Sequence, residues 1–327
     1  MAAIVRELEA LERLHADFGF SSRRVTRFAA FLLACVGVAQ LNAQAAPPPS
    51  ARPSPPGVMI DVGGYRVHLN CVGSGRPVVV IVGSGYSVDW SLVQGPVSGF
   101  TRVCTYDPSG SAWSDRGPET TCDSRVSELH QLLHKGGVDA PIVLTGHSIG
   151  AVWARMYADR YPSEVAGVVL SDHAGRYRMA LPSPLSGSAA PAMSLGARTA
   201  MPSQEESLLK LPAAALALHR WAASLSHESS IPLFNRCIAQ LDTSKANRPG
   251  ALGNRPLVVI GNITLAGSED YMSAQSRLLA LSRHSRALVS ATTAHQAPLD
   301  DPGTIVRAIT QVVDEIRTAG RNAPPSR

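Results

Sequence analysis

The sequence predicts an α/β domain: an eight-stranded, mostly parallel sheet with helices on both faces and a small inserted cap. Three observations carry that expectation. Short apolar runs such as Pro77–Val82, Pro141–Thr145, Val165–Leu170 and Pro256–Ile260 have the length of strands and no polar alternation, as strands buried on both faces require. Helical segments fall between runs of this kind, which is the pattern of a parallel sheet with crossover helices. The chain has 327 residues, 45% hydrophobic and 17% charged, so one large core is available and global disorder is disfavoured.

The N-terminus reads as an address rather than as part of the domain. Ile4, Leu8, Leu11 and Leu14 share one helical face among acids and bases. Then a basic stretch, Ser21–Arg27, precedes the apolar run Phe28–Ala39 and a small-residue cleavage pattern at Ala43-Gln44-Ala45. That order is the grammar of a secretory signal peptide. The apolar run is too short to span a bilayer, which takes roughly 20 residues. Ser22-Arg23-Arg24 also resembles a twin-arginine signal, and Leu32–Cys35 a lipid-attachment box. The expectation is export, to a periplasm or beyond the cell, with residues 1–45 as extension and signal-like segment and 46–57 as a Pro-, Ala- and Ser-rich linker. Cys71, Cys104, Cys122 and Cys237 remain beyond it, and an even number in an exported chain favours disulfides over free thiols.

The domain is expected over 58–319. Val58–Val62 and Tyr65–Asn70 flank Gly63-Gly64 as a hairpin. Pro77–Val82 is a buried strand running into Gly83-Ser84-Gly85, and Thr101–Tyr106 is the next, ending at Asp107-Pro108-Ser109-Gly110. A helix is predicted from Asp123 to His134. The strand Pro141–Thr145 leads into Gly146-His147-Ser148-Ile149-Gly150 and a helix that stops at Tyr161-Pro162. Val165–Leu170 is followed by Ser171-Asp172, after which the alternation lapses from about 173 to 249. That stretch is the expected cap, with one helix from Gln204 to Leu225. Pro256–Ile260 resumes the sheet and Ala287–Ser290 completes it. Asp301-Pro302 is a good N-cap and first-turn pair for a final helix, whose Ile305, Val306, Ile309, Val312, Val313 and Ile316 keep helical period. Residues 320–327 form a tail.

Strand, Gly-His-Ser-Ile-Gly, helix is the setting of a nucleophile elbow. There the serine takes a strained backbone conformation that lifts its Oγ above the sheet, and the flanking glycines let strand and helix approach closely. On Gly146–Gly150, on Tyr106–Asp115 and on a late histidine before the last helix, the chain from Val58 to Ile316 resembles the α/β-hydrolase family. The resemblance implies Ser148 as nucleophile and His295, just after the last strand, as the base that takes its proton. It leaves two candidates for the acid that orients the imidazole. Asp172, directly after the sixth strand, is preferred because ligands bind at the carboxyl ends of parallel strands. Asp270, late in the loop after the seventh strand, is the alternative. The oxyanion hole would be the backbone N–H of Ile149 with one from the loop around Ser84 and Gly85. Relatives carry His-Gly before that loop, and this chain has Val82-Gly83; backbone donors do not need the histidine. In the sheet that the resemblance implies, the second and fourth strands are neighbours, which brings Cys71 and Cys104 within disulfide reach and leaves Cys122 with Cys237.

Other chemistry is disfavoured. Gly83-Ser84-Gly85 mimics the start of a dinucleotide fingerprint, but position 88 is Val where the third glycine belongs, and Gly95-Pro96 interrupts the helix that should follow. His130 and His134 stand four apart on a helix without a third ligand or the glutamate of a zinc hydrolase. Net charge is +5, but the positives are scattered and aromatics are 5%, so nucleic acid is not an expected partner. No metal, cofactor or stable membrane span is expected. The reading is a serine hydrolase acting on a small-molecule carboxylic ester through an acyl-enzyme. Its alternatives are an acyltransferase on the same triad and a non-catalytic binding protein of the same fold.

Overall fold

The computed structural model describes residues 52–171, 204–225, 231–262, 269–292 and 295–322. The N-terminal extension, the signal-like segment, the first half of the linker and Asp172 lie outside them.

Eight strands form one sheet: β1 Val58–Asp61, β2 Arg66–Val72, β3 Val78–Val82, β4 Val103–Asp107, β5 Ile142–His147, β6 Val165–Ser171, β7 Leu257–Asn262 and β8 Ser285–Ser290. Their spatial order is β1-β2-β4-β3-β5-β6-β7-β8. The β1–β2 hairpin and the β2–β4 pair are antiparallel, and every later pairing is parallel. All eight predicted strands are present, with ends shifted by a residue or two.

The helices on the sheet are α1 Ser91–Ser98, α2 Cys122–Lys135, α3 Ile149–Arg160, α7 Glu269–Leu279, α8 Ala297–Asp300 and α9 Pro302–Asn322; the cap contributes α4 Gln204–Leu208, α5 Ala213–Ser224 and α6 Ile231–Thr243. Alternation along each strand splits the core into two layers. Val78, Val80 and Val82 face one side with Leu144 and Val168, against Leu129 and Leu132 of α2 and Val152 and Tyr157 of α3. Val79 and Ile81 face the other, against Val93 and Val97 of α1 and Ile305, Ile309, Val312 and Val313 of α9. Each such aliphatic side chain contributes about 1.5–3 kcal/mol on full burial. This is why β3, β5 and β6 tolerate no polar alternation.

Two helical expectations need correction. The segment Gln204–Leu225 is not one helix but α4 and α5, broken where Pro212 takes φ −52°, ψ 142° as the N-cap of α5. A proline ring removes an N–H and disfavours α geometry in the residue before it. Gly95-Pro96 does not prevent a helix: α1 runs through Pro96, close to its C-terminal end, where a single lost hydrogen bond is tolerable. At the other helix in question, Thr304 N–H donates to Asp301 Oδ1 at 3.2 Å, so Asp301 caps α9 as its sequence predicts.

Both cysteine pairs are bonded. Cys71 and Cys104 are direct register partners across β2 and β4, with Cα atoms 4.0 Å apart. Cys122 at the start of α2 joins Cys237 of α6 with a Cα separation of 5.5 Å, tying the cap to the sheet-flanking layer. No helix among the described residues is long and apolar enough to cross a membrane.

Candidate active site

Three chain segments meet at the turn Gly146–Gly150. The first is the elbow. Ser148 has φ 54° and ψ −125°, one of two non-glycine residues with positive φ among those described. A β-carbon at Gly150 would lie 1.8 Å from the Val82 carbonyl oxygen, so only glycine lets the start of α3 sit against the end of β3. The strain at Ser148 is held by the buried strand and helix on either side of it, which over-determine the turn.

The second segment is the loop after β8. His295 Nε2 lies 3.1 Å from Ser148 Oγ. Two residues on, α8 begins, and its first three residues, Ala297, Pro298 and Leu299, are buried. Upstream, Asp301 gathers the end of β8: it accepts from Ser290 Oγ at 2.8 Å and from Ala291 N–H at 3.0 Å. The histidine loop is thereby fixed at both ends. Burial alone would raise the Asp301 pKa, but hydrogen bonds from Thr304, Ser290 and the Ala291 amide outweigh it and hold the carboxyl below its ordinary value. His147, beside the serine, is buried between Trp90 and His295, with ring centroids 5.9 Å and 5.0 Å away.

The third segment is the loop Gly83–Tyr86, carrying Ser84 and Gly85. It rests on the single turn Ser87–Trp90. The indole of Trp90 lies against Gly83, and the carboxylate of Asp89 against Gly85, which has φ +84°. Asp89 Oδ2 accepts from Tyr86 N–H at 2.9 Å. Gly150 packs on Val82 and Gly83, so this loop adjoins the N-terminus of α3, where the Ile149 N–H is one of the amides an α-helix leaves without an internal partner. Burial, then the charges of Asp89 and Asp107, raise the Tyr86 phenol above its ordinary value.

The two candidate acids fare differently. β6 ends at Ser171, whose carbonyl accepts from Ser148 N–H at 3.2 Å; Asp172, the next residue, lies outside the described residues. Asp270 falls in the first turn of α7, beyond β7, which is separated from the elbow strand by β6.

Residues that the sequence offered as decoys have structural places. His130 Nδ1 pairs with Glu164 at 3.2 Å and its ring stacks on Tyr161 at 3.9 Å. Asp107 is fully buried, 2.7 Å from His68 Nδ1, and accepts from the Ser87 amide at 2.7 Å. Through the Ser87 amide and hydroxyl it braces the turn Ser87–Trp90. Sequence reasoning missed Asp89 and His219 of α5, which meet at 2.7 Å across 130 positions of chain. No local pattern in the sequence signals that pair.

Comparison with known proteins agrees with the sheet order. A model of the alpha/beta hydrolase fold matches residues 81–209. The chain is similar to an uncharacterized protein, C23C11.06c, of Schizosaccharomyces pombe, 31% identical over 138 residues, which are 33% of this chain and 26% of that one. It is also similar to a 2-hydroxy-6-oxo-2,4-heptadienoate hydrolase of Pseudomonas putida, 32% identical over 125 residues, covering 36% of this chain and 45% of that one. The match thus spans less than half the length of either relative. Among solved structures, a thermophilic esterase from Thermogutta terrifontis superposes with a TM-score of 0.54 at 15% identity, over 79% of this chain and 98% of that one.

Proposed function

From a chain that has the α/β-hydrolase fold, we propose a serine hydrolase that cleaves a small-molecule carboxylic ester through an acyl-enzyme. The observation that carries the reading is the 3.1 Å approach of His295 Nε2 to Ser148 Oγ at a serine held with positive φ. In this reading Ser148 Oγ attacks the ester carbonyl while His295 Nε2 takes its proton. The N–H of Ile149 and an N–H from Ser84 or Gly85 receive the charge that develops on the carbonyl oxygen. The imidazolium then protonates the leaving alcohol, and a water activated by the same nitrogen releases the acid. Asp172 is the proposed partner of the far ring nitrogen, with Asp270 the alternative. Its position one residue past β6, the strand paired with the elbow strand β5, favours Asp172.

The fold similarity to an esterase and the sequence similarity to a hydrolase support hydrolysis as the reaction class. The two disulfides support an exported enzyme that works in an oxidising compartment, in keeping with the signal-like N-terminus.

Hydrolysis of a p-nitrophenyl acyl ester series tests the reading. Ser148→Ala and His295→Ala should each lower kcat/KM by about 10³-fold or more. Asp172→Asn should be severely impaired and Asp270→Asn close to wild type, with thermal melts on both to exclude unfolding. The reverse ranking would move the acid to the loop after β7. Retention of most activity by Ser148→Ala would remove the proposal.

A further inference from the structure

Among the described residues, the cap reaches the oxyanion loop through a polar contact between His219 and Asp89. Asp89 sits in the turn Ser87–Trp90, 9% exposed, and its two oxygens have separate tasks. Oδ2 accepts from Tyr86 N–H at 2.9 Å and lies 2.6 Å from the position that a β-carbon on Gly85 would occupy. This oxygen therefore sets the path of the loop. Oδ1 is 2.7 Å from Nδ1 of His219, which comes from α5 in the cap; both side chains are about 12% exposed. A carboxylate only accepts, so Nδ1 carries the proton in this contact. The His219 ring also meets Tyr86 edge-on, with centroids 5.3 Å apart.

The helix that brings His219 is itself well seated. Trp221 packs against Trp113 with centroids 4.9 Å apart, and buried Ala222 joins the same cluster with Val88 and Ala112. α5 is thus a fixed strut rather than a free arm, and His219 is aimed by it. A nearly buried carboxylate with one oxygen left unsatisfied would carry a desolvation cost and would turn to seek other donors.

We propose that His219 is a positioning residue of the hydrolase: by holding Asp89, it fixes the loop that offers the Ser84 or Gly85 N–H to the oxyanion, so that cap docking completes the oxyanion hole. The consequence rests on the serine-hydrolase reading; the contact and its effect on the loop do not. Donors to an oxyanion act by being in place before charge develops. A loop that wanders should therefore lower kcat more than it raises KM.

The test uses the full chain with His219→Leu, which keeps a side chain for packing and removes the donor, and His219→Asn, whose amide N–H₂ can stand where Nδ1 stood. Two readouts are taken. Residue-resolved amide exchange compares Tyr86, whose N–H bonds Asp89, with Ser87, whose N–H bonds Asp107 at 2.7 Å. His219→Leu should speed exchange at Tyr86 by about tenfold or more and leave Ser87 unchanged. In parallel, kcat for p-nitrophenyl ester hydrolysis and the rate of fluorophosphonate labelling should fall by about tenfold, with KM within about twofold of wild type, and His219→Asn should recover most of both. Unchanged exchange at Tyr86 in His219→Leu would overturn the proposal. So would equal defects in the Leu and Asn variants, or faster exchange with undiminished kcat. Wild-type protein that resists labelling, with the Tyr86 difference intact, would instead refute the serine-hydrolase reading and leave the His219–Asp89 latch standing.

Discussion

At Ser148 the backbone carries a cost that the nucleophile role proposed for its side chain would explain. A positive φ at a residue with a β-carbon is unfavourable by about 1 kcal/mol or more, and Gly would remove it. Ser148→Gly should therefore melt above Ser148→Ala, by about 1 kcal/mol in chemical denaturation, while both are inactive. Equal stabilities would mean that the turn is not strained. Gly150 makes the opposite prediction. Its missing β-carbon is what admits the Val82 carbonyl, so Gly150→Ala should destabilise by about 2 kcal/mol or more and disturb labelling of Ser148 as well. The elbow was legible in the sequence because this steric demand falls on consecutive residues. The His219–Asp89 contact was not, because its partners are distant in the chain and each is an ordinary polar residue in its own segment.

Among the elements, the loop after β8 depends most on one side chain. Asp301 joins Ser290 and Ala291 at the end of β8 to Thr304 in the first turn of α9. Its folded pKa lies below its ordinary value. Its contribution is therefore present above the unfolded pKa, near about 4, and is lost as pH falls through the lower folded value. Asp301→Asn should lower Tm at pH 7, with the difference from wild type shrinking below about pH 4. It should also slow turnover by loosening His295. A constant difference between pH 3 and pH 7 would contradict the assignment. The helix beyond was legible from Asp301-Pro302 and its apolar period, and the buried strands from their unbroken Val and Ile runs. The cap was read less well. Pro212 divides what its alanine-rich composition presents as a single helix, and the packing of Trp221 on Trp113 involves long-range partners that no periodicity encodes.

For the whole molecule, the disulfides bear on both stability and location. The Cys122–Cys237 bond closes a loop of 115 residues between a helix on the sheet and a helix of the cap. In the chain-entropy account such a loop stabilises by about 4–5 kcal/mol. Cys122→Ala with Cys237→Ala should lower the midpoint of urea unfolding accordingly, and protein made in a reducing cytosol should resemble that variant until oxidised. Wild type and the double variant unfolding together under oxidising conditions would show that the bond does not form. The sheet and the helices on both its faces followed from composition and pattern, and the pairing of β2 with β4 from the family resemblance, whereas the proposed reaction rests on a handful of groups near the carboxyl end of the central strand β5.

The most direct measurement is covalent labelling of the purified, oxidised protein with a fluorophosphonate, located by peptide mass spectrometry. An activated serine reacts and an ordinary hydroxyl does not. The account predicts one adduct, on Ser148, formed by wild type, slowed by about 10³-fold in His295→Ala and absent in Ser148→Ala. A folded wild-type protein that stays unlabelled, or one labelled equally well without His295, would contradict it.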